Sequence, residues 1–151
     1  MDVSVDIEIA TDKSRVWQAI IDIDHCMKMI PSILAVDILS RPESGLVGLK
    51  WKETRLMFGK EASETMWITD ALENEYYSTR AESHGSIYRT RLSLKEKGES
   101  RCILTMTFDG EAQSFLMKVL SVIMSPMMKG SMKKMLLKDL TDIKRYVEQQ
   151  T

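Results

Sequence analysis

Residues 127–148 read MMKGSMKKMLLKDLTDIKRYVE. Met128, Met132, Leu136, Leu140, Ile143 and Val147 recur at spacings of four, four, four, three and four, which is one face of an α-helix. Lys133, Lys134, Lys138, Asp142 and Lys144 fall around the other faces. A long helix with one apolar stripe needs an apolar surface to lie on, and the rest of the chain must supply it. Upstream, Pro126 interrupts the helical pattern, because a proline inside a helix costs about 3 kcal/mol. The spacing therefore predicts a shorter helix over 113–124, a break, and a second helix over 127–148.

The surface comes from the middle of the chain. Between 33 and 109 the period switches to two. SILAVDIL (32–39), VGLKWKETRLMF (47–58), EASETMWITDA (61–71), YYSTRAES (76–83), SIYRTRLSLKE (86–96) and RCILTMTFDG (101–110) read as strands, joined by turn-like segments such as RPESG (41–45) and KGES (97–100). Short strands with tight turns imply an antiparallel meander. A seventh strand opens the chain: in VSVDIEIA (3–10), Val3, Val5, Ile7 and Ile9 face one way and Ser4, Asp6 and Glu8 the other. Thr11 then offers a helix N-cap, followed by the stripe Val16, Ala19, Ile20 and Ile23. A second short helix, HCMKMI, ends before Pro31, since the residue before proline is pushed out of helical geometry.

Composition narrows the function. The 151 residues are 44% hydrophobic and 28% charged, with a net charge of -1, and suit one globular domain over 1–151. Acidic and basic residues interleave, so no basic field points to nucleic acid. The N-terminus starts with an acid and alternates, unlike a signal peptide. The apolar region 115–128 contains Lys118 and Pro126 and is too short for a bilayer, which takes about 20 residues. A cytoplasmic protein is expected. Cys26 and Cys102 lack a CxxC spacing and read as reduced and structural, and His25 and His84 are too few for a metal centre. No metal and no cofactor is expected.

The order of elements resembles the START-like or SRPBCC superfamily, the polyketide cyclase/dehydratase and lipid-transport group. The resemblance rests on three stretches: the first strand with DKSRVWQAIIDID and the helix ending at Pro31; VGLKWKET, similar to a glycine-led third strand; and KKMLLKDLTDIKRYVE, similar to the closing helix. It implies an α+β helix-grip fold, in which a seven-stranded antiparallel sheet wraps around the long C-terminal helix and two short helices follow strand 1. It also implies a cavity between sheet and helix that takes a lipid, a polyketide or a similar apolar molecule.

Strand alternation sorts the candidate lining. Trp51 shares a face with Glu53, Arg55 and Met57, so two charges follow the apolar residues inward. They serve as a polar anchor or an acid/base, or else they pair at the cavity mouth or are turned outward by a bulge; pairing or a bulge is the commoner outcome. Met66 and Ile68 read as inward, which leaves Trp67 outside or at an interface. Tyr88, Met106, Met124, Met128, Met132 and Met135 complete the expected wall. Six of the 12 methionines lie between 117 and 135, and soft unbranched side chains suit a wall that must fit variable ligands. His84 falls on a polar face at the rim, and His25 in packing or at the surface.

Three functions follow. The first is a carrier or sensor of an apolar small molecule. The second is a cyclase/dehydratase-type enzyme with Glu53 as its acid or base and Arg55 or Tyr88 at a developing oxyanion. The third is a protein-interaction module with the Met-rich segment as a flexible docking surface, where Lys129, Lys133 and Lys134 either make transient contact with an anionic membrane or are simply the solvated face of the helix. Either a monomer or a homodimer is compatible with all three.

Overall fold

The computed structural model describes residues 2–57, 59–83, 86–112 and 115–149, and within these the side chains other than those of 83, 112 and 115–128. The seven expected strands are present: β1 (Asp2–Ile9), β2 (Ile33–Ser40), β3 (Lys50–Met57), β4 (Lys60–Leu72), β5 (Tyr76–Ser83), β6 (Ser86–Glu96) and β7 (Cys102–Ala112). They form one antiparallel sheet in the order β1-β7-β6-β5-β4-β3-β2. β2 to β7 pair as sequence neighbours, whereas β1 crosses the molecule to pair with β7, Val3 opposite Phe108 and Ile9 opposite Cys102. The two edge strands are thus consecutive in the chain. Helix α1 (Lys13–Ile20), a single 3₁₀ turn (Ile23–His25) and helix α2 (Cys26–Met29) join them. Helix α3 (Phe115–Gln149) lies against β1 and β7 and touches α1 and α2. This is the helix-grip arrangement. Among the described residues, no helix is long and apolar enough to cross a membrane.

Local chemistry sets the boundaries. The α1 N-cap is Asp12, not Thr11: the Asp12 carboxylate accepts from the backbone N–H of Arg15 at 3.0 Å, the third helical residue, while Thr11 is buried. α2 ends at Ile30, which is extended ahead of Pro31. Gly48, at the head of VGLKWKET, has φ +96, a region that side-chain-bearing residues avoid, and its N–H still donates to the Ile68 carbonyl at 2.9 Å. A break at Pro126 is not observed, because α3 runs without interruption from Phe115 to Gln149. The cost of a proline is local, whereas helix propagates from a well-packed half at one hydrogen bond per residue.

That packed half is the expected stripe. Met132, Leu136, Leu140, Ile143 and Val147 are buried in the core with Val3, Ile9, Leu104 and Cys102 from the sheet and Val16, Trp17 and Ile20 from α1. Tyr77, on the inner face of β5, packs edge-on against Trp17 (centroids 6.2 Å apart), and its hydroxyl donates to the Ile20 carbonyl in the last turn of α1. Asp142 lies off the apolar stripe. It is buried, with Lys138 at 2.9 Å and Arg145 at 3.9 Å. Side chain 128 lies outside the described residues.

Leu140 is 0% exposed and Leu137 45%. In urea unfolding, Leu140→Ala is expected to cost about 2–5 kcal/mol. Leu137→Ala should stay within about 0.5 kcal/mol of the native chain.

Candidate functional site

The inner face of the sheet is apolar near the C-terminal half of α3 and turns polar along β3. Trp51 is buried opposite Met66, and the next two inward positions are Glu53 and Arg55. Of the sequence alternatives, pairing is the one observed, and neither side chain is turned outward. Arg55 Nε lies 3.3 Å from Glu53 Oε2, and a terminal nitrogen of the guanidinium donates to Asp139 Oδ2 of α3 at 3.0 Å. The side chains of Arg55, Glu53 and Asp139 are 14%, 13% and 6% exposed. Trp51 Nε1 donates to Glu53 Oε1 at 3.4 Å, a long hydrogen bond. Arg55 Nε is buried and close in charge to Glu53, but not aligned for a hydrogen bond with it.

Asp139 was not anticipated, although the signal was present. It sits three residues after Leu136 and four before Ile143, on the edge of the apolar stripe. A carboxylate there has to be met by a cation from the facing sheet. Register supplies it: Arg55 is opposite Ile33 at the β2 edge, where the sheet comes round to α3.

Two carboxylates share one guanidinium, and this sets the electrostatics. Burial raises Glu53 above the ordinary glutamate value, against the pull of Arg55. Burial likewise raises Asp139, again against Arg55. For Arg55, burial acts downward but is outweighed by Asp139 and Glu53, so it stays cationic. Cys26 of α2 belongs to the same region; its thiol is pushed up to about 12 by burial and then by the charge of Glu53, so it acts as a buried apolar group.

The remaining predicted residues divide. Met66 and Met135 are half-buried against the core, and Met106 and Met132 are buried within it. Tyr88 is half-buried and stacks on Phe108, with centroids 5.7 Å apart. Gly110 lies opposite Tyr88, and a Cβ there would meet both rings at 3.4 Å, so glycine gives the aromatic pair its seat. Side chains 124 and 128, and residue 84, lie outside the described residues, so the positions of Met124, Met128 and His84 in the wall are not assigned. Trp67 is on the outer face, half-buried with the Lys50 ammonium 5.7 Å from its ring. Among the described residues no group of three or more His, Cys, Asp or Glu is placed to hold a metal. A separate cleft of about 420 Å³ lies between α1, α2 and the end of α3, lined by Arg15, Asp22, His25 and Tyr146. Its His25–Asp22 pair is solvated, unlike the buried cluster on β3.

Arg55→Met should leave two buried carboxylates without their cation and cost about 3–5 kcal/mol in urea unfolding. Adding Glu53→Gln and Asp139→Asn should recover most of that loss. The carboxylates also predict a pH effect of defined sign. Glu53 and Asp139 hold protons more tightly folded than unfolded, so the stability they contribute is greatest at low pH and falls as pH rises through their raised values. Asp12, Asp24 and Glu148 are lowered by hydrogen bonds and act oppositely, but only as pH falls into the usual carboxylate range. As pH rises above the ordinary carboxylate range, the melting temperature of the native chain should therefore drop more steeply than that of Glu53→Gln.

Comparison with known proteins agrees with this architecture. The chain is similar in structure to a START superfamily protein from Mycobacterium smegmatis, with a TM-score of 0.84, 20% identity and 99% of each chain covered. It is similar to the Zhui aromatase/cyclase from a Streptomyces species, with a TM-score of 0.77, 14% identity, and 98% of this chain and 93% of that one covered. It is also similar to a truncated norcoclaurine synthase from Thalictrum flavum, with a TM-score of 0.74, 13% identity, and 97% and 92% covered. No curated protein matches the sequence. At these identities the structural likenesses establish the fold. The sequence itself matches the family described as polyketide cyclase / dehydrase and lipid transport over residues 1–148, and the chain therefore belongs to that family.

Proposed function

We propose that this protein binds a hydrophobic small molecule between the inner face of the sheet and α3, with Glu53, Arg55 and Asp139 as the polar end of the site. The observation that carries this reading is the meeting of three charged side chains, Glu53 and Arg55 on the sheet and Asp139 on α3, beside a largely apolar inner face. Burying them is expensive, and a well-packed apolar trio would stabilise the fold as well or better. Ligand sites are typically apolar walls with a few convergent polar groups that fix orientation. Trp51, Met66, Tyr88, Phe108 and Met135 supply the wall, and all but Trp51 remain half-buried. The family to which the chain belongs includes lipid transport.

A second reading, a cyclase or dehydratase acting in the same space, is favoured by one observation. Burial raises Glu53 above the ordinary glutamate value, the direction that suits a general acid or base, and Arg55 beside it is a fixed cation for a developing oxyanion. The likeness to an aromatase/cyclase is compatible with it.

Native mass spectrometry of the purified protein, followed by organic extraction, is expected to reveal a co-purifying apolar molecule. An empty protein that also gains no thermal stability from a panel of lipids and polyketides would sink the binding reading. For the enzymatic reading, Glu53→Gln should abolish turnover of such a molecule while leaving its binding within about threefold, a loss confined to the chemical step. Unchanged turnover would remove Glu53 from the role.

A further inference from the structure

The charge count of the polar cluster restricts what can bind there. When both are ionised, Glu53 and Asp139 carry two negative charges against the single positive charge of Arg55, with Lys138 acting on Asp139 more weakly. No other cation contacts these three groups among the described residues. Lys138 and Arg145 are turned to Asp142. The Arg55 Nε–H is buried and out of a ligand's reach. The guanidinium is already flanked by carboxylates, so an anionic headgroup approaching its remaining N–H groups would lie among them. The second oxygen of Asp139 makes no hydrogen bond among the described residues. Glu53 retains part of its surface. The open hydrogen-bonding capacity of the carboxylates is therefore for a donor.

We infer that the ligand of this site is an apolar molecule carrying a basic nitrogen, whose ammonium is held by Glu53 and Asp139, and that fatty acids and other carboxylates are discriminated against. This deepens the binding function proposed above and rests on it. An ammonium brings the cluster to neutrality and donates to the carboxylates. A carboxylate would add a like charge beside two carboxyl groups that outnumber the one guanidinium, and this weighs more in a partly desolvated place than in water.

Three probes with one apolar body separate the possibilities: naphthylethylamine, naphthylethanol and naphthylacetate, titrated by calorimetry into the full chain at neutral pH. The amine is expected to bind at least about tenfold more tightly than the carboxylate, with the alcohol between them, a modest demand for one unit charge partly out of water. Glu53→Gln and Asp139→Asn, each checked for an intact melting transition, should each bring amine and carboxylate to within about threefold of one another by removing the excess charge. Two independent variants guard against one of them failing to fold. Alcohol binding with the carboxylate equal to or tighter than the amine would overturn this inference while leaving the binding function standing. An amine preference that survives both substitutions would overturn its assignment to this cluster. If none of the three probes binds, this inference is overturned, while the binding function is decided separately by the extraction and the lipid and polyketide panel.

Discussion

A guanidinium held between two carboxylates, one on its own strand and one on the helix opposite, links the far side of the sheet to α3. Elsewhere α3 rests chiefly on β1 and β7, at one edge of the sheet. The β2–β3 side reaches the helix through Arg55 and Asp139, 84 positions apart in sequence. The wrap of the sheet around the helix therefore depends on an ion pair with little solvent around it. Such a pair stabilises only while both partners are present, because removing either one leaves a buried charge. Tyr77 provides a similar tie near the chain's first helix, with its hydroxyl on the Ile20 carbonyl and its ring on Trp17. These polar links fix the relative placement of surfaces whose apolar contacts alone are non-directional.

Most of the fold was legible in the sequence because it rests on periodicity. Val3, Val5, Ile7 and Ile9 alternate, and Met132 to Val147 recur every three or four residues; neither pattern needs tertiary information to be read. The boundaries were less legible. Thr11 and Asp12 are both good caps, and only the backbone path selects Asp12. Pro126 carries a real helix penalty, but its weight against the packing downstream is a tertiary quantity. The site was half legible. Strand alternation placed Glu53 and Arg55 on the inner face, and that is where they lie. It gave no account of Asp139, whose role depends on how far the β2–β3 side bends toward α3. A charged residue on the edge of an apolar stripe is the local trace of that long-range fact. Asp142 shows the same limit from the other side: it lies off the apolar stripe, yet it is buried, with Lys138 and Arg145 as its partners.

The two halves of the inner face also differ in what they demand of a partner molecule. Toward the α1 end, Trp51, Ile68, Leu104 and Leu140 are packed as a core, and there substitution is governed by volume. Along the Tyr88–Phe108 stack the surface is only partly covered, so chemistry there can vary without dismantling the fold. This separation of a packed end from an adaptable end is one physical way for a family to keep its architecture at low sequence identity while its members differ in what they hold.

The crossing of β1 to β7 has a consequence for how the protein is made. Asp2 finds its partner at Asp109, so β1 leaves the ribosome well before its partner strand and waits for nearly the whole sheet before its hydrogen bonds can form. The β2-to-β7 meander can assemble as each hairpin emerges, while β1 remains an unpaired, alternating apolar strand. Long-range pairing of this kind slows folding and lengthens the exposure of a sticky edge. The acidic residues on the outer face of β1, Asp2, Asp6 and Glu8, are placed where they would keep that waiting strand from pairing with its neighbours on a polysome.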